Sequence, residues 1–210
     1  MTGVTMEDIG ARLATGLCRK DDTCATLCVQ LLRLLAEGQP VSRDRLAAAL
    51  GLARADVDAT LRQVPNVEVD ADGRIVASGL SLLPTPHQFH VNGHDLYTWC
   101  ALDTLMYPVV IGQRAHVTSC CPVSGVPVRL TVTPERVEEL DPPHALVSIV
   151  VPDAAAACCD VRGAFCQHVS FFAGADAGAV WRAAHPEITL LSVEDAYAVA
   201  HHLARTRYRL

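Results

Sequence analysis

The sequence predicts an α+β protein: a winged-helix-like helical module over residues 1–80, then a mixed domain over 81–210 with antiparallel strands flanked by helices. Three observations carry this reading. The first 65 or so residues place leucines and other apolar residues at helical spacing and close on a hairpin signal. Beyond residue 110 the apolar runs are short and bounded by Gly, Pro, Asp and Ser. Half of the 210 residues are hydrophobic but only 5% are aromatic, so the core must be packed mainly from Leu, Val and Ala.

Thr5 is placed to cap a first helix running through Thr15. Asp21 or Asp22 opens a second, Cys24 to Glu37, ended by Gly38, with Leu27, Leu31, Leu34 and Leu35 as its stripe. Ser42 caps a third helix through Leu50, with Gly51 as the turn, and Ala53 to Gln63 forms a fourth. Val67–Val69 and Arg74–Ala77 read as strands joined by the turn Asp70-Ala71-Asp72-Gly73. Helices followed by a two-stranded wing form a winged-helix pattern. The would-be recognition helix carries Asp56 and Asp58, which phosphate repels, so a packing role is expected rather than a DNA-binding one.

Gly79 to Gln88, with Pro84 and Pro86, reads as a linker. A central helix is expected from His90 to Pro108, capped by Asn92 with Asp95 three residues on and stopped by Pro108. Leu96, Trp99, Cys100, Asp103 and Met106 recur along it at helical spacing. Cys100 and Asp103, three apart, then share a mostly apolar face and can touch. Two readings of that pair stand. It is a buried Cys beside a hydrogen-bonded Asp, or a thiol and a proton-carrying carboxyl held together for chemistry.

Strands are expected at Ala115–Cys121 and Val126–Thr133 around a turn at Pro122–Gly125. Thr133-Pro134-Glu135 looks like the start of a short helix ending before Pro142. Ala145–Val151 and Phe165–Phe172 read as strands, the latter placing Cys166, His168, Ser170 and Phe172 on one face. Asp176 caps a helix through Ala184, and Ser192, with Asp195, caps the last, Val193 to Arg205.

The net charge of −6 argues against general nucleic-acid binding. No apolar run reaches the roughly 18 residues of a membrane span. Met1 to Lys20 lacks the pattern of a signal peptide, so a cytoplasmic protein with reduced thiols is expected. Nine cysteines are many for such a chain, and their odd number excludes a complete disulfide framework. None is spaced Cys-x-x-Cys, which speaks against a zinc ribbon or finger. The surplus points to soft-metal or nucleophile chemistry. Cys18, Cys24 and Cys28 read as helix packing, and one of Cys120 and Cys121 as buried structure. Cys158 and Cys159, in an Ala-rich loop before Cys166, are either incidental or a mobile thiol arm. His201 and His202 fall on a solvated face.

Tyr97-x-Trp99-Cys100-Ala101-Leu102-Asp103-Thr104-Leu105 followed by Ile111-Gly112 closely resembles the central segment of organomercurial (alkylmercury) lyases. So do Phe165-Cys166-x-His168-Val169-x-Phe171-Phe172 and, between them, Val126-Pro127-Val128-x-Leu130-Thr131-Val132. The resemblance runs from about Leu83 to the C-terminus, and the N-terminal module agrees in architecture. It implies that Cys100 and Cys166 are paired mercury-binding thiols, that Asp103 is the proton relay, and that Cys121 is structural. Some members carry a second Cys directly after the position of Cys166, where this chain has Gln167.

The resemblance implies cleavage of the carbon–mercury bond by protonolysis, giving a hydrocarbon and Hg(II) held by the two cysteines. No organic cofactor is expected; external thiols remove the ion, and a mercuric reductase is a candidate receiver. No nucleic-acid or membrane partner is expected. Two rivals come from other classes: a soft-metal-responsive winged-helix regulator, and a non-catalytic mercury or copper carrier using the same thiols.

Overall fold

A computed structural model of the chain describes residues 6–17 and 21–210; the expected Thr5 cap and Cys18 lie outside them. The N-terminal part contains α1 (Met6–Gly16), α2 (Asp22–Leu35), α3 (Arg43–Leu50) and α4 (Arg54–Leu61), then the wing strands β1 (Glu68–Val69) and β2 (Ile75–Ser78). The caps explain the boundaries. The Asp21 carboxylate accepts the Cys24 N–H at 2.7 Å and the Ser42 hydroxyl accepts that of Arg45 at 3.1 Å. Gly51, at φ 65°, ends α3 in the left-handed conformation. The Asp70 carboxylate accepts from the Asp72 and Arg74 N–H groups and folds the wing turn. In α4, Asp58 pairs with Arg43 and Arg54, so much of this helix's charge is neutralised internally.

The wing continues into a larger sheet. β2 pairs with β3 (Leu80–Ser81), which lies inside the segment expected to be a linker. β3 pairs with β5 (His94–Thr98), itself paired with β4 (His87–Val91). The expected helix from His90 is therefore wrong over its first half. Asn92 and Gly93, at φ 54° and 77°, form a two-residue turn with Val91 opposite His94. Both residues adopt positive φ, as a type I′ hairpin requires, and Asn-Gly is the strongest signal for one. The helix, α5 (Ala101–Ile111), starts only after Cys100 and passes through Pro108 to Gly112 at φ 71°. Pro108 removes one i→i−4 hydrogen bond without ending the helix. Only Val109 of α5 is not buried, which marks a helix in the middle of a core.

Next come β6 (Ala115–Cys120), β7 (Pro127–Val132) and β8 (Val137–Asp141), completing an antiparallel sheet in the order β1-β2-β3-β5-β4-β6-β7-β8. β8 replaces the short helix expected after Thr133. The Thr133 hydroxyl accepts the Glu135 and Arg136 N–H groups, and its own N–H donates to the Arg136 carbonyl. That closes a tight turn instead of starting a helix. β9 (Leu146–Ile149) lies between β10 (Phe171–Phe172) and β11 (Thr189–Ser192) in a second antiparallel sheet.

Two further corrections fall between β9 and β10. Ala154–Cys159 is a helix, α6, because Asp153 caps it through the Ala156 N–H; the expected loop is absent. Phe165–Phe172 is not one strand. After α7 (Val161–Ala164), Cys166–His168 forms a 3₁₀ turn, and only Phe171–Phe172 is extended. Gly174, not Asp176, occupies the N-cap of α8 (Ala175–Ala184). The last helix, α9 (Val193–Tyr208), is capped by Ser192 accepting the Asp195 N–H at 3.0 Å, as expected, and runs three residues further. α9 packs along α5 and α1, and α2 packs on both α5 and α9.

Candidate functional site

Cys100 is the N-cap residue of α5 and is extended, at φ −149° and ψ 170°. Asp103 is the third residue of the helix. The two are neighbours because an N-cap and the N3 position face each other, the geometry of a capping box, not because both stand on one helical face. Cys166 arrives from the 3₁₀ turn. The Ala101 N–H donates to the Val169 carbonyl at 3.0 Å, so the helix start is stitched directly to the chain just beyond Cys166. The Ser148 hydroxyl donates to the His168 carbonyl at 2.7 Å and accepts the Ser170 N–H, fixing that turn to β9. The structure thus brings Cys100, Asp103 and Cys166 together, with their ligand atoms within 4.8 Å of one another. At 0%, 6% and 5% exposure, respectively, all three are withdrawn from bulk water.

Burial dominates the electrostatics. It pushes the Cys100 thiol well above its ordinary range, and the adjoining Cys166 sulfur and Asp103 charge push the same way. The thiol is therefore protonated at rest, despite its place at a helix N-terminus, which favours a thiolate. Burial also raises the Asp103 carboxyl to about 6, opposed by hydrogen bonds from the Cys100 thiol and the Tyr107 hydroxyl and by the Arg207 charge. A rise of roughly two units corresponds to about 3 kcal/mol. Because the folded-state value is raised, the protonated form stabilises the fold at low pH, and that stability is lost as pH climbs through about 6. Asp103→Asn cannot ionise. It is expected to match the wild type near pH 4 and to exceed it by up to about 3 kcal/mol above pH 7, read by denaturant unfolding at both values.

Asp103 and Cys166, with Cys100 buried beside them, line a cavity of about 60 Å³, room for a few waters or a small organic group. Its wall mixes both parts of the chain. Leu17, Val64, Pro65, Ser78 and Gly79 come from the N-terminal module; Trp99, Met106, Tyr107, Phe165, Leu203 and Arg207 come from beyond it. Three buried polar atoms without a hydrogen-bond partner, Trp99 Nε1, Asp103 Oδ2 and Arg207 Nη1, belong to residues of this wall. Such atoms are rare in folded proteins and mark a place built for a polar or ionic occupant. The sequence reading missed Tyr107 and Arg207. Tyr107 lies four residues after Asp103, a spacing that puts both on one helical face; nothing in the sequence pointed to Arg207.

Gly79 serves as a seat. Its φ is +86°, its carbonyl accepts the Trp99 N–H at 3.0 Å, and a Cβ there would overlap the Tyr107 hydroxyl and stand 2.9 Å from its Cζ. The last residue before β3 thus fixes both the backbone entering Cys100 and the ring that hydrogen-bonds Asp103. Gly79→Ala is expected to displace Tyr107 and destabilise the protein by about 1–3 kcal/mol, through lost positive-φ freedom and overpacking, as a lowered unfolding midpoint would show.

The other sequence-selected cysteines fall elsewhere. Cys24 and Cys28 are buried on α2. Cys121 is buried and accepts the Ser124 N–H at 3.5 Å, while Cys120 is exposed. Cys158 and Cys159 are exposed at the end of α6. His168 is half-buried beside Gln167, and His202 is exposed.

Residues 80–205 match the family model of alkylmercury lyase, and residues 8–79 match that of the helix-turn-helix domain of alkylmercury lyase. The chain is 49% identical over 173 residues to the alkylmercury lyase of Staphylococcus epidermidis, covering 82% of this chain and 79% of that one. It is 47% identical over 180 residues to that of Pseudomonas putida, covering 86% and 84%. It is 50% identical over 173 residues to that of Streptomyces lividans, covering 82% and 79%. The crystal structure of the mercury-bound form of MerB2 shares the fold, with a TM-score of 0.76 at 22% identity over 97% of this chain and 99% of that one.

Proposed function

The chain belongs to the alkylmercury lyase family, and from that premise we propose how its residues divide the work. The protein is an organomercurial lyase: it breaks the carbon–mercury bond of its substrate and yields a hydrocarbon and Hg(II). Neither a metal-responsive regulator nor a passive carrier is favoured by that membership. In our reading residues 81–210 form the catalytic part and residues 1–80 its winged-helix-like cover. Cys100 and Cys166 are the mercury ligands and Asp103 is the proton relay. The single observation carrying the assignment is the meeting of two buried thiols and one buried carboxyl, of which Cys166 and Asp103 line one cavity.

Carbon leaves mercury poorly because it departs as a carbanion, so the reaction needs electron donation into mercury and a proton delivered to carbon. Thiolates are the soft ligands mercury prefers. Mercury approaching the Cys100 sulfur makes its thiol acidic, and the adjacent Asp103 carboxylate takes the proton. Cys166 then adds as the second sulfur. Asp103, now a carboxylic acid within the largely apolar cavity, gives its proton to the departing carbon, acting first as base and then as acid. Two thiol protons are released for two sulfur–mercury bonds: one ends on carbon, the other leaves with the ligand that mercury originally carried. Tyr107 orients the carboxyl, and the apolar wall keeps bulk water from competing for the carbanion.

None of these steps calls for an organic cofactor. External thiols remove Hg(II), and a mercuric reductase is the receiver we propose. The described residues contain no helix long and apolar enough to cross a membrane, and a reducing cytoplasm suits thiol chemistry of this kind. The test is incubation with phenylmercury and excess thiol. Continued release of benzene supports the assignment, and its absence removes it.

A further inference from the structure

We propose that Cys158 and Cys159 form a second, surface site for two-coordinate Hg(II), which takes the product ion from Cys100 and Cys166 as it leaves the cavity. The inference rests on the assignment of those two residues as the ligands that hold the product.

Position is the first support. α6 ends at Cys159, and Asp160 both closes α6 and caps α7 through the Gly163 N–H at 3.0 Å. Val161, two residues beyond Cys159, already lines the reaction cavity, as do Phe165 and Cys166. The thiol pair thus stands on the same short stretch of chain that builds one wall of the cavity. That stretch is also fixed to the N-terminal module. Asn66 Nδ2 donates to Asp160 Oδ1 at 2.9 Å, Asn66 Oδ1 accepts the Arg162 N–H, and Arg162 pairs with Glu68. Pro65, next to Asn66, lines the cavity too. The latch therefore holds the corner carrying the two thiols at the rim between the N-terminal module and α7.

Chemistry is the second. Both cysteines are exposed and outside any disulfide. Adjacent residues on a helix diverge by about 100°, which keeps the sulfurs from the close approach a disulfide needs. It suits an ion that sits between two separated sulfurs. Both thiols are open to solvent, unlike the buried Cys100 thiol. The transfer is a ligand exchange without redox change. Two sulfur–mercury bonds to Cys100 and Cys166 break as two to Cys158 and Cys159 form, and the two incoming thiol protons pass to the two released sulfurs. The resting pocket is thereby restored.

The pair is not needed for cleavage itself, because Cys100 and Cys166 already provide two soft ligands. The experiment is benzene release from the full-length, prereduced protein given phenylmercury in two successive single equivalents and no added thiol, because an excess would cap exposed thiols directly, with protein-bound inorganic mercury counted alongside. The wild type is expected to release about two equivalents and to hold two ions. Cys158→Ala/Cys159→Ala should release its first equivalent within a few-fold of the wild-type rate and then stop at one. Cys120→Ala, which removes another exposed thiol, should retain the second equivalent. A wild-type burst of one, or a double variant that still yields two, would overturn the acceptor site. So would a double variant that yields none, since the pair would then belong to the cleavage machinery. No benzene from the wild type would instead defeat the lyase assignment.

Discussion

A chain beginning at Leu80 is expected to release hydrocarbon no faster than background and to aggregate or unfold. The reason lies in what residues 8–79 touch. They supply five residues of the cavity wall, from Leu17 to Gly79, and the α2 face that covers α5 and α9. Without them, the largely buried helix carrying Asp103 would face water along one side. An exposed apolar surface of that extent invites association. The seat for Tyr107 at Gly79 would also be gone. The carbon–mercury step depends on a chosen proton donor and on exclusion of water, and both would be lost. Size-exclusion chromatography and a single-turnover assay on the truncated chain check this. A monomeric, fully active fragment would show that the module is dispensable and the shielding argument mistaken.

Asp103→Asn is expected to bind organomercury and to cleave it about 10²–10⁴-fold more slowly, the usual cost of losing a general acid–base. Asparagine keeps the size and much of the hydrogen bonding of the residue but cannot receive the Cys100 proton. In the proposed relay the carboxylate is the working form, and burial raises its value to about 6. The single-turnover rate should therefore climb with pH through about 6 and level off above it, and the variant should lose that limb. The same substitution is expected to stabilise the fold at neutral pH. Together, the two results would identify a buried charge kept for chemistry at the expense of stability.

Much of this was legible in the sequence. The capped helices α2, α3 and α9, the wing turn and the β6–β7 hairpin follow from local rules that tertiary structure does not override. The site trio was reachable because three-residue spacing brings Cys100 and Asp103 together whether both lie within a helix or, as here, across its N-cap. The errors have physical causes. Asn92 and Asp95 imitate a helix start, yet the Asn-Gly dipeptide that supplies two positive-φ residues makes a hairpin instead. Pro108 predicts a stop, but a helix buried on nearly every side tolerates one missing hydrogen bond. The alternation through Cys166, His168 and Ser170 imitates a strand, whereas a 3₁₀ turn stitched to β9 and to Ala101 presents the thiol. The meeting of Cys100 with Cys166, 66 positions apart, and the place of Arg207 at the cavity depend on long-range packing that spacing cannot reveal.

The most direct test of the central claim reads two quantities on one sample: hydrocarbon released and mercury retained, for the wild type and Asp103→Asn mixed with an equivalent of phenylmercury. One benzene is expected for each inorganic mercury held by the wild type, and for the variant nearly full retention of mercury with its phenyl group still attached. Benzene released from Asp103→Asn at the wild-type rate, or mercury bound by the wild type with no benzene, would contradict it.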